Sequence, residues 1–298
     1  MFGGEHRCTA VLLVVFLTGD IMTMIYCFGD SLTDGRPGVT YIRYLSVKSP
    51  GAGKDTGKPA YRCVNFGVGG DTLNGVTGRL TAKLDHKLAA EDYVIVGVGT
   101  NDILLPYFLT CSPSWRRMAK RHIAGGSIPC RDSNEFKEKY LQLISYCKKI
   151  TGNLIIFGLP LLETSCDRLD EKCASYNQEI EAICREQKIP YIDFRAWQIE
   201  QKSLLGNDGS FFLASKKRSH WAVALDTLLT TYLPFESRIS SRRGLAMTID
   251  GCHLNAFSAK GLADLIDASI TLAQDTNKTQ ASEPEITPEG YKGLHQNK

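Results

Sequence analysis

The chain has 298 residues, 43% of them hydrophobic and 22% charged, a composition that excludes disordered, collagen-like and coiled-coil proteins. It fits one large globular domain or two small ones. The 35 basic and 32 acidic side chains leave a formal charge of only +3, too small a surplus to predict a nucleic-acid partner through phosphate neutralisation.

At the amino terminus, MFGGEHR followed by CTAVLLVVFLTG has the basic-then-apolar order of the first two regions of a secretory signal. No small-x-small cleavage site precedes Met24, and the apolar run is about half the ~20 residues that a membrane span requires. Three readings follow for residues 1–23: a start site upstream of true initiation near Met22 or Met24, an anchor of marginal length, or a buried extra element. The first is preferred, which points to the cytoplasm rather than to secretion or membrane anchoring, and disfavours stable membrane association.

From residue 24 to 274 short apolar runs alternate with helical periodicity. MIYCFG (24–29), YRCVNFG (61–67), YVIVGVG (93–99), NLIIFGLP (153–160) and IPYIDF (189–194) are apolar or β-branched runs ending in turn residues, the pattern of strands covered on both faces. Between them, DTLNGVTGRLTAKLDHKL, EFKEKYLQLISYCKKI and CASYNQEIEAICREQK space apolar residues by three and four, and AFSAKGLADLIDASITLAQ supplies a last helix. Alternating strands and helices predict an α/β protein, a three-layer α/β/α sandwich on a mostly parallel sheet of five strands, with ligands beyond the strands' carboxyl ends. Residues 104–134 and 196–248 are longer than ordinary connections and read as insertions with structure of their own, candidates for a lid or substrate pocket. Residues 275–298 are polar, contain proline and lack apolar periodicity, so a disordered tail is expected there. There is no internal repeat.

Ten cysteines carry no CxxC spacing, which argues against zinc ribbons and thioredoxin-like sites and for free, mostly buried thiols. Cys111 with Cys130, and Cys166 with Cys173, are the pairs that a loop disulfide would join.

Ser31 in FGDSLTDG follows the first strand and precedes a turn, a place where serine also serves simply as a helix cap. A serine nucleophile needs a base, a group that orients the base, and donors for an oxyanion. TIDGCHLNAFSAKG offers Asp250 and His253 within one turn before a helix, with His220 in reserve as a base. The glycine-rich turn NFGVGGDT leaves backbone N–H groups free at a helix start, and GVGTND adds the side-chain NH₂ of Asn101. Competing motifs fail. PGAGKDTGKPAY misses phosphate-loop spacing, the glycines of NFGVGGDT miss dinucleotide spacing, KKR at 216–218 reads as a solvated face, and GxSxG is absent.

FGDSLTDG, NFGVGGDT, VGTND and DGCHLN stand in the order and spacing of the GDSL-type esterase/lipase family, the SGNH hydrolases, and the chain resembles that family from about residue 24 to 273. The resemblance implies a flavodoxin-like SGNH hydrolase fold, with Ser31 as nucleophile, His253 as base and Asp250 as its partner. It also implies an oxyanion hole from the Ser31 N–H, the Gly70 N–H and Asn101, with Gly69 as the neighbouring possibility for the glycine. It implies no metal and no organic cofactor. The expected activity is hydrolysis of carboxylic esters, acetyl or short-acyl first. Lipase, lysophospholipase or thioesterase action on longer chains is the alternative, and a catalytically silent binding protein the reading from another class. The expected partner is a small-molecule ester, a lipid or acylated carbohydrate among the candidates.

Overall fold

In a computed structural model of the protein, which describes residues 23–47, 61–164, 166–206, 209–211, 221–233 and 235–282, the five apolar runs form one parallel sheet. Most of the glycine-rich stretch 50–61, the KKR run, His220, the apolar run near the amino terminus and the end of the polar tail lie outside those residues. The elements follow in the order β1 (Thr23–Gly29), α1 (Ser31–Asp34), α2 (Ile42–Val47), β2 (Tyr61–Gly67), α3 (Leu73–Lys83), β3 (Tyr93–Gly97), α4 (Thr100–Thr110), α5 (Pro113–Ala124), α6 (Ser133–Ile150), β4 (Leu154–Phe157), α7 (Asp167–Glu186), β5 (Tyr191–Ile192), α8 (Phe194–Leu205), α9 (Trp221–Thr231), α10 (Glu236–Arg243) and α11 (Ala256–Ser282). The sheet order is β2-β1-β3-β4-β5. Its switch of direction lies between β1 and β3, where open α/β sheets bind ligands.

Strand periodicity divides the core in two. Val94 and Val96 of β3 and Leu154 and Ile156 of β4 face one apolar cluster, with α3 to α7. Tyr93, Ile95, Ile155 and Phe157 face the other, with α2, α8 and α11. α11 packs through Ala259, Leu262, Ala263, Ile266 and Ile270, a single stripe at helical spacing. Each of its large aliphatics contributes about 1.5–3 kcal/mol by leaving water. Coverage on both faces holds for β3 and β4, whereas the edge strand β2 is half-buried along most of its length.

Both insertions contribute helices. Residues 104–134 continue α4 and add α5, and 196–248 hold most of α8 together with α9 and α10. α11 runs to Ser282, past residue 275 where composition predicts a tail, because extending an existing helix needs no new nucleus. The nine cysteines among the described residues are all free, so neither Cys111 with Cys130 nor Cys166 with Cys173 is bridged.

Three glycines mark the carboxyl ends of neighbouring strands, since Gly29 pairs in register with both Gly67 and Gly97. A Cβ on Gly29 would run into the Thr33 side chain, and one on Gly67 into the backbone of Asp34. The turn after β1 can fold back across the sheet only because these positions are bare.

Candidate active site

β1 passes straight into α1, and Asp30 caps that short helix by accepting the Leu32 N–H at 2.9 Å. The capping role that would explain Ser31 therefore falls to its neighbour, and the Ser31 hydroxyl lies 3.0 Å from His253 Nε2. His253 Nδ1 is 2.8 Å from Asp250 Oδ2, while Asp250 Oδ1 accepts the backbone N–H groups of Cys252 at 3.1 Å and His253 at 2.9 Å. A carboxylate only accepts, so Nδ1 carries the proton and Nε2 faces the serine as an acceptor. All three side chains are buried. Burial disfavours a charged Asp250, yet the imidazole, the hydrogen bond it donates and the two backbone N–H groups hold its carboxyl below the ordinary value. Burial likewise works against the imidazolium, but Asp250 first, then Asp30 and Asp226, hold His253 above its ordinary 6.5.

The loop carrying Asp250 and His253 is held at several points. Thr248 and Leu254 form an antiparallel bridge, and Ile249 N–H donates to the His253 carbonyl at 2.8 Å. Gly251 takes φ +94, and a Cβ there would strike the Phe211 carbonyl. Asn255 accepts the Ser258 N–H at 2.9 Å, capping α11 directly after the histidine. Beneath the loop, the fully buried carboxylate of Glu163 accepts the backbone N–H groups of Ala246, Met247 and Thr248 at 2.9, 3.0 and 2.8 Å and the Thr248 hydroxyl at 2.7 Å. Nothing local in GLPLLET announces that role, because its partners stand more than eighty residues later.

On the other side of Ser31, Gly70 takes φ +78 with the His122 ring against it, so that a Cβ would collide with the imidazole. Gly69 also lines the site. The backbone N–H groups of Ser31 and Gly70 donate to nothing among the described residues. Asn101 Nδ2 donates to the Asp71 carbonyl at 2.9 Å and more weakly to Asp30 Oδ2 at 3.3 Å. Arg79 fastens this wall, donating to the Gly29 and Phe66 carbonyls at 2.9 Å each and pairing with the Asp71 carboxylate. Asp102 accepts the Leu73 and Cys130 N–H groups at 2.9 Å each. Burial pushes Asp30 up to about 7 and Asp102 up to about 6.

Ser31, Gly70, Asn101 and His253 open onto a cavity of about 220 Å³. Its apolar lining comes from the two insertions, Leu104, Leu105 and Phe108 of α4, Trp115 and Met118 of α5, and Val223 of α9, while Arg36, Thr100, His122 and Thr227 add polar groups. The LLPYFL segment therefore lines the pocket, while Phe211 of the FFL run lies under the Arg243 guanidinium, 4.5 Å from ring centroid to Cζ. Cys252 also borders the cavity, but burial and the nearby Asp250 and Asp30 push its thiol well above the ordinary range, which leaves it inert. Among the described residues no cluster of histidine, cysteine and carboxylate side chains could hold a metal ion.

The family model described as "GDSL-like Lipase/Acylhydrolase family" matches residues 27–216, well over half of the chain. The protein belongs to that family. It is a carboxylic ester hydrolase of the GDSL type, although Asp250 and His253 lie beyond the matched residues. Among solved structures, this GDSL hydrolase is similar to a lipase/acylhydrolase from Enterococcus faecalis, at 16% identity over 84% of this chain and 95% of that one, with a TM-score of 0.50. It is also similar to a catalytic mutant of an acetylxylan esterase from Geobacillus stearothermophilus, at 17% identity, 85% and 95% coverage and TM-score 0.49. A third likeness is to a lipolytic G-D-S-L protein from Veillonella parvula, at 18% identity, 70% and 96% coverage and TM-score 0.46. No curated protein matches the chain. The likeness to the Enterococcus protein is one of fold, the α/β/α sandwich described above.

Proposed function

We propose that this GDSL hydrolase cleaves carboxylic esters whose acyl group is an aliphatic chain longer than acetyl, by acyl transfer through Ser31. The apolar cavity beside Ser31 carries the reading. An acetyl group would leave most of Leu104, Leu105, Phe108, Trp115 and Met118 uncovered, whereas each methylene placed among them contributes about 0.8 kcal/mol. Its volume of about 220 Å³ lies below the roughly 300–1,000 Å³ of pockets that take drug-sized ligands, which favours chains of intermediate length.

The chemistry follows from the contacts. Ser31 Oγ attacks the carbonyl carbon while His253 Nε2, 3.0 Å away, takes its proton. The carbonyl π pair moves to oxygen, which the Ser31 and Gly70 N–H groups receive together with Asn101. Asn101 supplies its donor by exchanging the weaker of its two contacts, the one to Asp30. Collapse expels the alkoxide, which leaves as an alcohol with the proton from His253. Water, deprotonated by the same imidazole, then releases the acid and restores Ser31.

A p-nitrophenyl ester series from acetate to octanoate tests the reading, with Ser31→Ala as the control. Rates should rise from acetate to an optimum between butanoate and octanoate; a steady fall from acetate onward refutes the acyl-chain reading. A fluorophosphonate should label Ser31 on peptide mapping, and labelling elsewhere refutes the nucleophile.

A further inference from the structure

We infer that the cavity mouth is built to dock on a lipid surface bearing anionic headgroups, an interaction that goes beyond the acyl-chain reading and does not depend on it. The observation begins with α9. Val223 and Thr227 turn inward to line the cavity, while Leu225 and Leu228 on the far side are 54% and 52% exposed. Tyr232, at 76%, and Leu233, at 43%, extend that apolar stripe just past the helix end. One helix thus closes the cavity with one side and leaves large apolar side chains in water with the other, more than scattered surface hydrophobics explain.

The flanks decide what covers this stripe. α5, which also lines the cavity, reads PSWRRMAKRHIA, with no acidic residue. Its inner face, through Trp115 and Met118, lines the cavity, and its outer face exposes Arg117, Lys120 and Arg121, none of which is ion-paired among the described residues. Beyond α9, Arg238 and Arg242 of α10 are exposed and border a groove with Leu229. With a net charge of only +3 over the chain, the cations of α5 and the pair on α10 are local concentrations rather than a property of the protein at large. Apolar side chains near exposed cations that have no ion pair among the described residues match an acyl region beneath anionic headgroups.

The test uses the full chain carrying Ser31→Ala, so that turnover plays no part, in sedimentation with vesicles of phosphatidylcholine alone or with phosphatidylserine. Binding should grow with the anionic fraction and weaken in high salt. Replacing Arg117, Lys120 and Arg121 by Gln should weaken it about fivefold per cation, roughly a hundredfold together. Leu225→Ser with Leu228→Ser should weaken it on the same vesicles. In the otherwise wild-type chain, both sets should keep hydrolysis of a soluble p-nitrophenyl ester, which shows that they fold. No binding, equal binding to neutral and anionic vesicles, or binding that neither set reduces, as when residues 1–23 alone carry it, overturns the inference. Loss of ester hydrolysis in the wild type would overturn the enzymatic proposal and leave this one standing.

Discussion

Replacing Glu163 by Gln keeps the shape of the side chain and changes one oxygen into a donor. Oε1 accepts one N–H, from Ala246, and is paired with Lys202 Nζ at 3.7 Å, while Oε2 accepts three groups, so the amide oxygen will take the Oε2 place and the NH₂ will face the Ala246 N–H and the Lys202 ammonium. One buried N–H then has no acceptor, which costs about 1–3 kcal/mol, and the other bonds lose their charge assistance. The sum is about 3 kcal/mol, and at about 2–4 °C per kcal/mol for a domain of this size Tm should fall by about 6–12 °C. Because the same loop carries Asp250 and His253, kcat should fall while KM stays near its wild-type value, a displacement of 1 Å being enough for about a 10²-fold loss. Thr248→Val, which removes the hydroxyl's bond to Glu163 and leaves the Gly251 N–H without its acceptor, should lower Tm as well. Calorimetry beside ester kinetics gives the readout. A shift in Tm under about 2 °C with unchanged kcat would refute the claim that this carboxylate organises the loop.

Asn101→Ala should lower kcat by about 10²–10³ with little effect on KM, as for other oxyanion donors, and a loss under threefold removes it from that role. His253 must be neutral to accept the Ser31 proton, so the acid limb of kcat/KM should have its midpoint above 6.5, the direction in which Asp250 holds it. In Asp250→Asn burial acts without that opposition, and the midpoint should move down as kcat falls by about 10⁴; an unmoved midpoint contradicts the pairing. Asp30, about 7 in the folded chain against an ordinary 3.8, binds its proton more tightly when folded. Stability should therefore decline as pH rises from about 4 to about 7, and Asp30→Asn should flatten that slope in thermal melts across this range, which an unchanged slope would contradict.

What could be read in the sequence was local. Ser31, the Gly70 turn, Asn101 and the pair Asp250 and His253 each sit in a short signature at the end of a strand or the start of a helix, and the structure brings Ser31, Gly70, Asn101 and His253 to one cavity with Asp250 buried behind the histidine. The strand runs were equally legible, although IPYIDF yields a ladder of only two residues, Tyr191 and Ile192, at the sheet's far edge. The supports were not legible. Arg79 works by reaching the carbonyls of two strands, and Glu163 by meeting a loop distant in the chain. His122 lies over Gly70 only because α5 folds across the cavity. Such roles depend on which segments meet, and no spacing within a segment encodes that.

The bare row of Gly29, Gly67 and Gly97 divides the labour of the molecule. Bulk cannot be added at Gly29 or Gly67 without unseating the turn above them, nor at Gly97 without displacing the Phe157 ring, so the chemical floor is immutable while the helical walls from α4, α5 and α9 are exchangeable parts. Selectivity in this enzyme should therefore be re-engineered by transplanting those walls, with the floor left untouched.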